Sequence, residues 1–333
     1  MALLTIAIPT FNRADYLKLT LNQLLKEIKS LNGDNTEILV SDNASSDQTS
    51  TVIYEAIAAG LKVKYVINSE NIGSDANIAQ CYNLASGEYV LILGDDDLFV
   101  DGALKGLVKV LSQRKYGVVC MRSYGFDNDF RKEYPGNIGG IQRFNDPGDF
   151  LKSIGSLVTL ISSCVIHKAI LNGINANDYC GENLVQVHLV LQSAIKSRQN
   201  AFVSSYMIAC KRNNSGGYDF AKIFVENIGK ILDLYTGKGL TREAVVAIER
   251  QFIVSYFPFY LFKQRLYNQG DWKKTYLTFN NRYRGRLSFY LWLFPIFKLP
   301  RFLGVIWAAA ATFVGRVLNG DLLRGVKFVL NKI

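Results

Sequence analysis

The first 120 residues alternate between short apolar runs and stretches with helical spacing, and this alternation limits the fold more than any other feature. Each run is four or five residues long, which is typical of a strand buried on both faces. The stretches between them repeat apolar residues every three or four positions, as amphipathic helices do. The pattern predicts an α/β fold with a mostly parallel sheet flanked by helices. The runs lie at residues 4–8, 37–40, 63–67, 89–93 and 117–121.

A polar cluster follows each of the first four predicted strands. In parallel α/β sheets, ligands bind beyond the carboxyl ends of the strands, so we expect the clusters to form one site. Each cluster also suits an ordinary turn with a helix cap, and that alternative stays open. The clusters are PTFNR (9–13), SDNASSD (41–47), NIGSDAN (71–77) and GDDD (94–97).

Three adjacent aspartates, Asp95, Asp96 and Asp97, give the most specific of these signals. Neighbouring carboxylates repel one another unless a cation lies among them. Mg²⁺ and Mn²⁺ bind carboxylates together with phosphate oxygens, so the cluster predicts a divalent metal site beside a diphosphate. Capping of the next helix by Asp97 and Asp101 explains only part of the cluster. The chain has no G-x-G-x-x-G and no P-loop motif, so it lacks the usual dinucleotide and P-loop phosphate cradles.

The basic excess is confined to the end of the chain. The 38 basic and 28 acidic residues give a net charge of +10, but residues 251–333 hold 13 of the basic and 2 of the acidic residues. The preceding part is therefore nearly neutral, which argues against a nucleic-acid binder and favours a catalytic body with a basic tail.

Three apolar, aromatic runs lie in this basic region, at residues 252–262, 287–297 and 302–314. Each is shorter than the ~20 residues that span a bilayer. Aromatic runs flanked by Lys and Arg are typical of helices in a membrane interface, so we expect the region to bind an anionic membrane surface. An ordinary helical core with a basic solvated face is the alternative.

The cysteine pattern and the start of the sequence bear on location. Five cysteines form no C-x-x-C pair, which favours a reducing compartment. No signal-peptide pattern precedes the first predicted strand. We expect a cytoplasmic protein, peripheral at the inner face of the plasma membrane.

The clusters together resemble the inverting family 2 glycosyltransferases of the GT-A fold, and within them the O-antigen, abequosyltransferase-like enzymes. The likeness is specific over residues 3–120 and fades by residue 215. It implies a GT-A, Rossmann-like catalytic domain at 1–215, and we assign 216–333 to a helical, basic region for membrane-surface association. The matching stretches are IAIPTFNR (6–13), EILVSDNASSDQT (37–49), NIGSDANIAQCYNLASGEYVLILGDDD (71–97) and DGAL (101–104).

The resemblance also implies roles for individual residues. It implies a nucleotide site with Asp42 beside the base or ribose, and a DxD-type metal site at Asp95, Asp96 and Asp97. Gly94 stands where much of the family has the first Asp, so which two aspartates bind the metal stays open. The residues implied to border the nucleotide are Pro9, Thr10, Asn12, Arg13, Asp42, Asn43, Asn71, Gly73, Asn77, Asp95 and Asp96.

An inverting transfer needs a general base for the acceptor hydroxyl. The family places a carboxylate at the start of a helix past the metal motif, and Glu182 occupies that position here. His188 is the alternative base. Counted along one helix, the six-residue spacing points the two side chains to different faces. Gln186 is expected to contact the acceptor.

The sequence therefore predicts a metal-dependent glycosyltransferase that moves a sugar from a nucleotide-sugar donor to a lipid-linked saccharide, in O-antigen or capsule synthesis. A nucleotidyltransferase, or a non-catalytic nucleotide-binding module, is the alternative. The donor, the acceptor, the linkage and the oligomeric state cannot be read from the sequence.

Overall fold

The computed structural model describes residues 2–31, 35–136, 139–212 and 217–318. The chain forms two compact units. One comprises Met1–Phe150 and Leu157–Gly216, and the other Leu151–Ser156 and Gly217–Ile333. The expected domain boundary between 215 and 216 lies outside the described residues, and so does the charged segment 319–333.

The structure follows the alternation of strands and helices predicted for the first 120 residues, with one additional short strand at Asp97–Phe99, and further strands and helices continue up to residue 211. Single 3₁₀ turns occur at Gly155–Thr159, Lys168–Leu171 and Ala176–Tyr179. The elements are β1 (Leu4–Thr10), α1 (Ala14–Lys29), β2 (Thr36–Asp42), α2 (Thr49–Ala58), β3 (Val63–Ile67), α3 (Ser74–Leu84), β4 (Tyr89–Ile92), β5 (Asp97–Phe99), α4 (Ala103–Gln113), β6 (Val118–Phe126), β7 (Ile141–Phe144), α5 (Pro147–Ile154), β8 (Cys164–His167), α6 (Val185–Lys196) and β9 (Asn200–Lys211).

The strands form one sheet in the order β3-β2-β1-β4-β8-β6-β9-β5, with β7 paired to β9. The first four strands to be predicted, β1 to β4, are parallel to one another. β8 then enters antiparallel between β4 and β6, and β5 and β7 are antiparallel to β9. The α/β class is confirmed, and the sheet is mixed because β5, β7 and β8 run opposite to the other strands.

Strands β1 and β4 are buried on both faces, which explains their continuous apolar sequence, whereas the edge strand β3 is partly exposed. Leu4, Ile6 and Ile8 of β1 are fully buried. Helix α1 packs its apolar stripe, Leu17 and Leu21 included, into the same core. The polar clusters lie at the carboxyl edge of this packed part of the sheet.

Helices make up the second unit. Two segments of this unit, Lys222–Asn227 and Phe252–Tyr256, are π-helical, and the other helices are α-helices. The helices are α7 (Ile228–Tyr235), α8 (Arg242–Gln251), α9 (Phe257–Tyr267), α10 (Trp272–Tyr283), α11 (Leu287–Trp292), α12 (Phe294–Lys298) and α13 (Arg301–Leu318).

A buried ion network ties three helices of this unit together. Glu249 of α8 is almost completely buried and accepts hydrogen bonds from Arg282 of α10 and from Arg286. Arg282 also donates to Asp233 of α7. Because both oxygens of the buried carboxylate have cationic partners, its charge is compensated.

Helix α13 packs with its small residues and exposes its large ones. Its buried positions are Gly304, Ala308, Ala311 and Gly315, spaced as one helix face. A Cβ at Gly315 would lie 2.3 Å from the Val254 carbonyl oxygen, so only glycine allows this approach. The exposed apolar residues are Phe302, Leu303, Ile306, Trp307, Phe313, Val314, Val317 and Leu318.

Two helical stretches in the described part of the chain, Arg242–Tyr267 and Arg301–Leu318, are long and apolar enough to cross a membrane. Length and composition alone are weak evidence, because core helices pass the same test. The first stretch exceeds the predicted apolar run 252–262, since the helix continues through the π-helical segment.

Candidate active site

The ends of β1 and β2 meet at the centre of the carboxyl edge. Thr10 is paired with Asp42 in the parallel register, and the Asn43 N–H donates to the Thr10 carbonyl at 2.9 Å. Asp42 is buried, accepting from the Ser45 N–H and from the Tyr65 hydroxyl, both at 2.9 Å. Burial, and then this carboxylate, raise the pKa of Tyr65. Asp42 is therefore a fixed acceptor at the sheet edge.

Asparagine side chains build the next part of the edge. The Asn43 amide donates to the Asn71 side chain at 2.8 Å and accepts from the Ile72 N–H at 2.9 Å. Asn71 also accepts from the Gly73 N–H, and Gly73 has a positive φ of 86°. Asn77 is buried and bonded through both amide atoms to Ser41. These contacts fix the turn before α3.

The turn after β1 carries Arg13 to the aspartate cluster. Asn12 adopts a φ of 52°, and its side chain accepts from the Ser46 N–H at 2.7 Å. Arg13 Nε then lies 3.0 Å from Asp95 Oδ1, and its Nη2 lies 2.8 Å from Asp96 Oδ2. A guanidinium thus bridges two of the three aspartates, which lowers the cost of holding their charges together.

The three aspartates do not share one environment. Asp95 accepts from the Thr10 hydroxyl at 2.8 Å, and burial raises its pKa to about 6. Asp97 opens β5 opposite Cys210 and accepts from the Ser162 hydroxyl at 2.5 Å. Burial, followed by the charge of Asp96, raises the pKa of Asp97 to about 7. The metal prediction grouped all three, whereas the structure joins Asp95 and Asp96 through Arg13 and gives Asp97 separate partners.

Gly94 fits closely behind this turn. A Cβ at this position would lie 3.1 Å from Asp96 Oδ1 and 3.1 Å from Asp97 Oδ2, and the Gly94 N–H donates to Ser162 at 2.9 Å. Within the described ranges, no group of three His, Cys, Asp or Glu residues forms a ready-made metal centre. Asp95 and Asp96 together supply two carboxylates, which is what Mg²⁺ and Mn²⁺ take from proteins when phosphate oxygens complete the shell.

The two base candidates lie in contact, contrary to the helical count that placed them on different faces. Helix α6 begins at Val185, and Asn183 before it has a φ of 56°, so Glu182 lies in a turn outside the helix. Glu182 Oε2 lies 3.1 Å from His188 Nε2. The His188 side chain is 6% exposed and that of Glu182 36%, so Glu182 is the accessible member.

Gln186, the expected acceptor contact, is buried. Its amide nitrogen donates to the Thr159 carbonyl at 3.0 Å, and its Oε1 is buried without a hydrogen-bond partner in the described structure. This contact joins α6 to the segment that also supplies Ser162 to Asp97. Ser162 and Asp75, which accepts from the Gly181 and Asn183 N–H groups, were not among the predicted site residues. Asp75 lies within the NIGSDAN cluster, but nothing local indicates its contact with residues more than 100 positions away, and no motif marks Ser162.

The part of the chain that contains these turns is similar to known proteins. The glycosyl transferase family 2 model matches residues 5–172. GalNAc(5)-diNAcBac-PP-undecaprenol beta-1,3-glucosyltransferase of Campylobacter jejuni is 34% identical over 110 residues, 33% of this chain and 34% of that protein. Abequosyltransferase RfbV of Salmonella typhimurium is 36% identical over 121 residues, 36% of each protein. The chain therefore spans about a third of the length of these curated relatives.

Solved structures extend the likeness in fold. S. aureus TarS 1–349 in complex with UDP-GlcNAc has a TM-score of 0.64 at 15% identity, covering 96% of this chain and 93% of that chain. Mannosyltransferase PcManGT from Pyrobaculum calidifontis, in complex with GDP-Man and Mn²⁺, has a TM-score of 0.53 at 15% identity, covering 93% and 86%. At such identity the likeness shows the fold alone, and it confirms the predicted GT-A architecture. Because the family model matches half of the chain, across the strands and turns that bear the polar clusters, the chain belongs to glycosyl transferase family 2.

Proposed function

We propose that the protein is an inverting glycosyltransferase that moves a sugar from a nucleoside diphosphate donor to a lipid-linked saccharide acceptor in O-antigen or capsule synthesis. The observation that carries the proposal is the meeting of Asp42, Arg13 and the Asp95–Asp96 pair at one sheet edge. Such an edge offers an acceptor for the nucleoside, a cation for the diphosphate and carboxylates for a metal.

The nucleoside is expected beside Asp42. Its carboxylate can accept hydrogen bonds from ribose hydroxyls or from a base N–H, as acidic residues do in other nucleotide-binding sheets. Pro9, Thr10 and Asn12 form the neighbouring wall, since their turn is fastened to the loop after β2 by the Asn12–Ser46 bond. Asn43, Asn71 and Gly73 shape the turn before α3 through contacts with one another, and Asn77 is bonded to Ser41 at the end of β2.

A divalent cation fits the pair Asp95 and Asp96. The two carboxylates already share a cationic partner in Arg13, which supports a cation site at this turn. We assign the Mn²⁺ or Mg²⁺ ligands to these two residues. Asp97 then supports the turn through Ser162. When bound, the cation neutralises charge on the leaving diphosphate.

Glu182 is proposed as the general base. It accepts the proton of the acceptor hydroxyl while that oxygen bonds to the anomeric carbon of the donor sugar. The bond from this carbon to the diphosphate oxygen breaks, and the diphosphate leaves with the electron pair. Attack on the side opposite the diphosphate inverts the anomeric centre.

A lipid-linked acceptor agrees with two observations. The C. jejuni relative has an undecaprenyl diphosphate substrate in its name. The exposed face of α13 presents large apolar side chains, with Arg301 at one end and Arg316 in the last turn. Apolar side chains bordered by arginine suit an anionic membrane surface, so we propose peripheral attachment to the inner face of the plasma membrane.

A donor panel tests the activity. UDP-, GDP-, CDP- and dTDP-sugars are incubated with the full chain, a lipid-linked acceptor extract and Mn²⁺, and release of the nucleoside diphosphate is measured. We expect one donor class to be consumed, with the new linkage inverted by NMR. Release of inorganic diphosphate from a nucleoside triphosphate, in place of nucleoside diphosphate from a sugar donor, would favour a nucleotidyltransferase. Nucleotide binding without turnover of any donor would favour a non-catalytic module.

Liposome flotation tests the membrane surface. The double substitution Phe302→Glu with Ile306→Glu places two charges on the exposed face of α13, so we expect it to release the protein from anionic vesicles. Tyr54→Glu, at an equally exposed aromatic residue of α2, is the matched control and should leave flotation unchanged. Equal flotation of all three proteins would contradict the proposed surface.

A further inference from the structure

The turn that carries Glu182 is fastened by a side chain from another element. Asp75, in the first turn of α3, accepts from the Gly181 N–H and from the Asn183 N–H, and both donors lie 2.8 Å from the same oxygen, Oδ2. These two residues flank Glu182 in the chain. One carboxylate therefore fixes the backbone on both sides of the proposed base.

Two residues of this turn have a positive φ. Gly181 has a φ of 115° and Asn183 a φ of 56°. Glycine adopts positive φ freely and asparagine more readily than other L-residues, so the sequence permits this turn. The two hydrogen bonds to the Asp75 carboxylate are charge-assisted and select this conformation among those open to such residues. Without them, we expect the turn to relax and carry Glu182 with it.

His188 holds the side chain of the same residue. Its Nε2 lies 3.1 Å from Glu182 Oε2, and its ring stacks on Tyr179 with centroids 4.8 Å apart and planes 17° apart. Stacking fixes the ring, so the tautomer protonated at Nε2 donates along a fixed direction. The His188 ring is buried, whereas the Glu182 carboxylate reaches solvent. Glu182 can therefore meet an acceptor, and His188 acts through it.

Asp75 also connects this turn to the nucleotide edge. It lies in α3 between Gly73 and Asn77, and Asn77 is bonded to Ser41 at the end of β2. The same helix end thus supports the donor side and the turn of the base. We propose that Asp75 and His188 are positioning residues that together hold Glu182 in the geometry for proton removal. This inference rests on the proposed function, in which Glu182 is the base.

Steady-state kinetics on the full chain test the proposal, with Asp75→Ala, His188→Phe and Glu182→Gln compared with the wild type. A displacement of about 1 Å at a reacting group costs about 100-fold in rate, so we expect kcat to fall by roughly that factor in the first two variants. The KM for the donor should change less than about twofold, because the donor contacts are untouched. Asp149→Ala, which removes an acid from the first turn of α5, is the control and should keep the wild-type kcat.

Conservative variants separate positioning from folding. Asp75→Asn keeps an oxygen that can accept both N–H groups, and His188→Gln keeps an N–H donor for Glu182. We expect each to recover at least about tenfold in kcat over its disruptive counterpart, since the geometry is restored. Melting temperature and nucleotide affinity by calorimetry are measured for every variant.

The outcomes are distinguishable. Wild-type kcat in Asp75→Ala and His188→Phe, with Glu182→Gln inactive, would overturn the positioning roles and leave the base assignment standing. Near-normal turnover of Glu182→Gln would overturn the base assignment and this inference with it. Loss of nucleotide affinity in Asp75→Ala and His188→Phe, without recovery in the conservative variants, would show a folding role and also overturn the proposal.

Discussion

Arg13 occupies the position between Asp95 and Asp96 that we assign to the divalent cation. The guanidinium and the cation should therefore compete for the two carboxylates. In the absence of nucleotide, Mn²⁺ can bind both carboxylates only after the guanidinium leaves. Replacing Arg13 by Gln removes the competitor and keeps a polar side chain. We predict that Arg13→Gln binds Mn²⁺ more tightly than the wild type.

The magnitude follows from the contacts. Arg13 donates a hydrogen bond to Asp96 at 2.8 Å, and its Nε forms an ion pair with Asp95 at 3.0 Å. A hydrogen bond to a charged group contributes about 1.5–3 kcal/mol, and we treat the close ion pair as no stronger than that. The Arg13 side chain is 29% exposed, so we discount each contact to about 1 kcal/mol. Together they amount to about 2 kcal/mol, which corresponds to about a 30-fold gain in Mn²⁺ affinity.

The assay is electron paramagnetic resonance of free Mn²⁺ in a titration of the nucleotide-free protein. A pH of about 8 keeps Asp95 ionised in the wild type, since burial raises its pKa to about 6. Arg131→Gln is the matched control, because it removes a guanidinium paired with Asp101 elsewhere in the same unit. Equal or weaker Mn²⁺ binding by Arg13→Gln, with Arg131→Gln unchanged, would refute the competition. Affinity for the nucleoside diphosphate of the donor that the panel identifies should move the opposite way, since Arg13 is the proposed cationic contact of the diphosphate.

Three further predictions concern stability. Lys168→Met leaves three carbonyls at the end of α3 without their donor and should lower the free energy of unfolding in urea by about 1–3 kcal/mol; an unchanged midpoint would contradict this. Glu249→Gln leaves Arg282 and Arg286 poorly compensated and should cost about 3 kcal/mol, visible as a lower melting temperature; equal melting would argue against the network. Burial lowers the pKa of His167, so the folded protein resists a proton that the unfolded chain accepts, and stability should fall as pH decreases below about 6.5. His167→Gln should flatten that dependence, and an identical pH profile in both proteins would exclude His167 as its source.

The sequence predicts the sheet edge well because its information there is local. Each strand from β1 to β4 is a short apolar run, and the polar cluster that follows it is contiguous in sequence. The parallel register then brings Thr10 beside Asp42 without further specification. Asp42 and the aspartate cluster could therefore be placed at one edge of the sheet before the fold was known.

What the sequence could not provide depends on backbone conformation and on distant partners. The helical count failed for Glu182 and His188 because the left-handed Asn183 takes Glu182 out of the helix. Asp97 could not be separated from its neighbours, since its partner Ser162 lies 65 residues away. The antiparallel entry of β8 was equally hidden, because a short apolar strand carries no mark of its direction.

Helix α3 supports both the proposed nucleotide side of the site and the turn of the proposed base. This bears on how such enzymes could be re-engineered. The segment after residue 122 carries the proposed acceptor contacts, so it is the natural segment to exchange when a new acceptor is wanted. Its turn at Gly181–Asn183, however, is hydrogen-bonded to Asp75, which belongs to the other side of the exchange. A chimera that carries the acceptor region of another enzyme on this sheet should therefore also carry that enzyme's residue at position 75. Otherwise the new turn will lack the side chain that accepts its backbone hydrogen bonds.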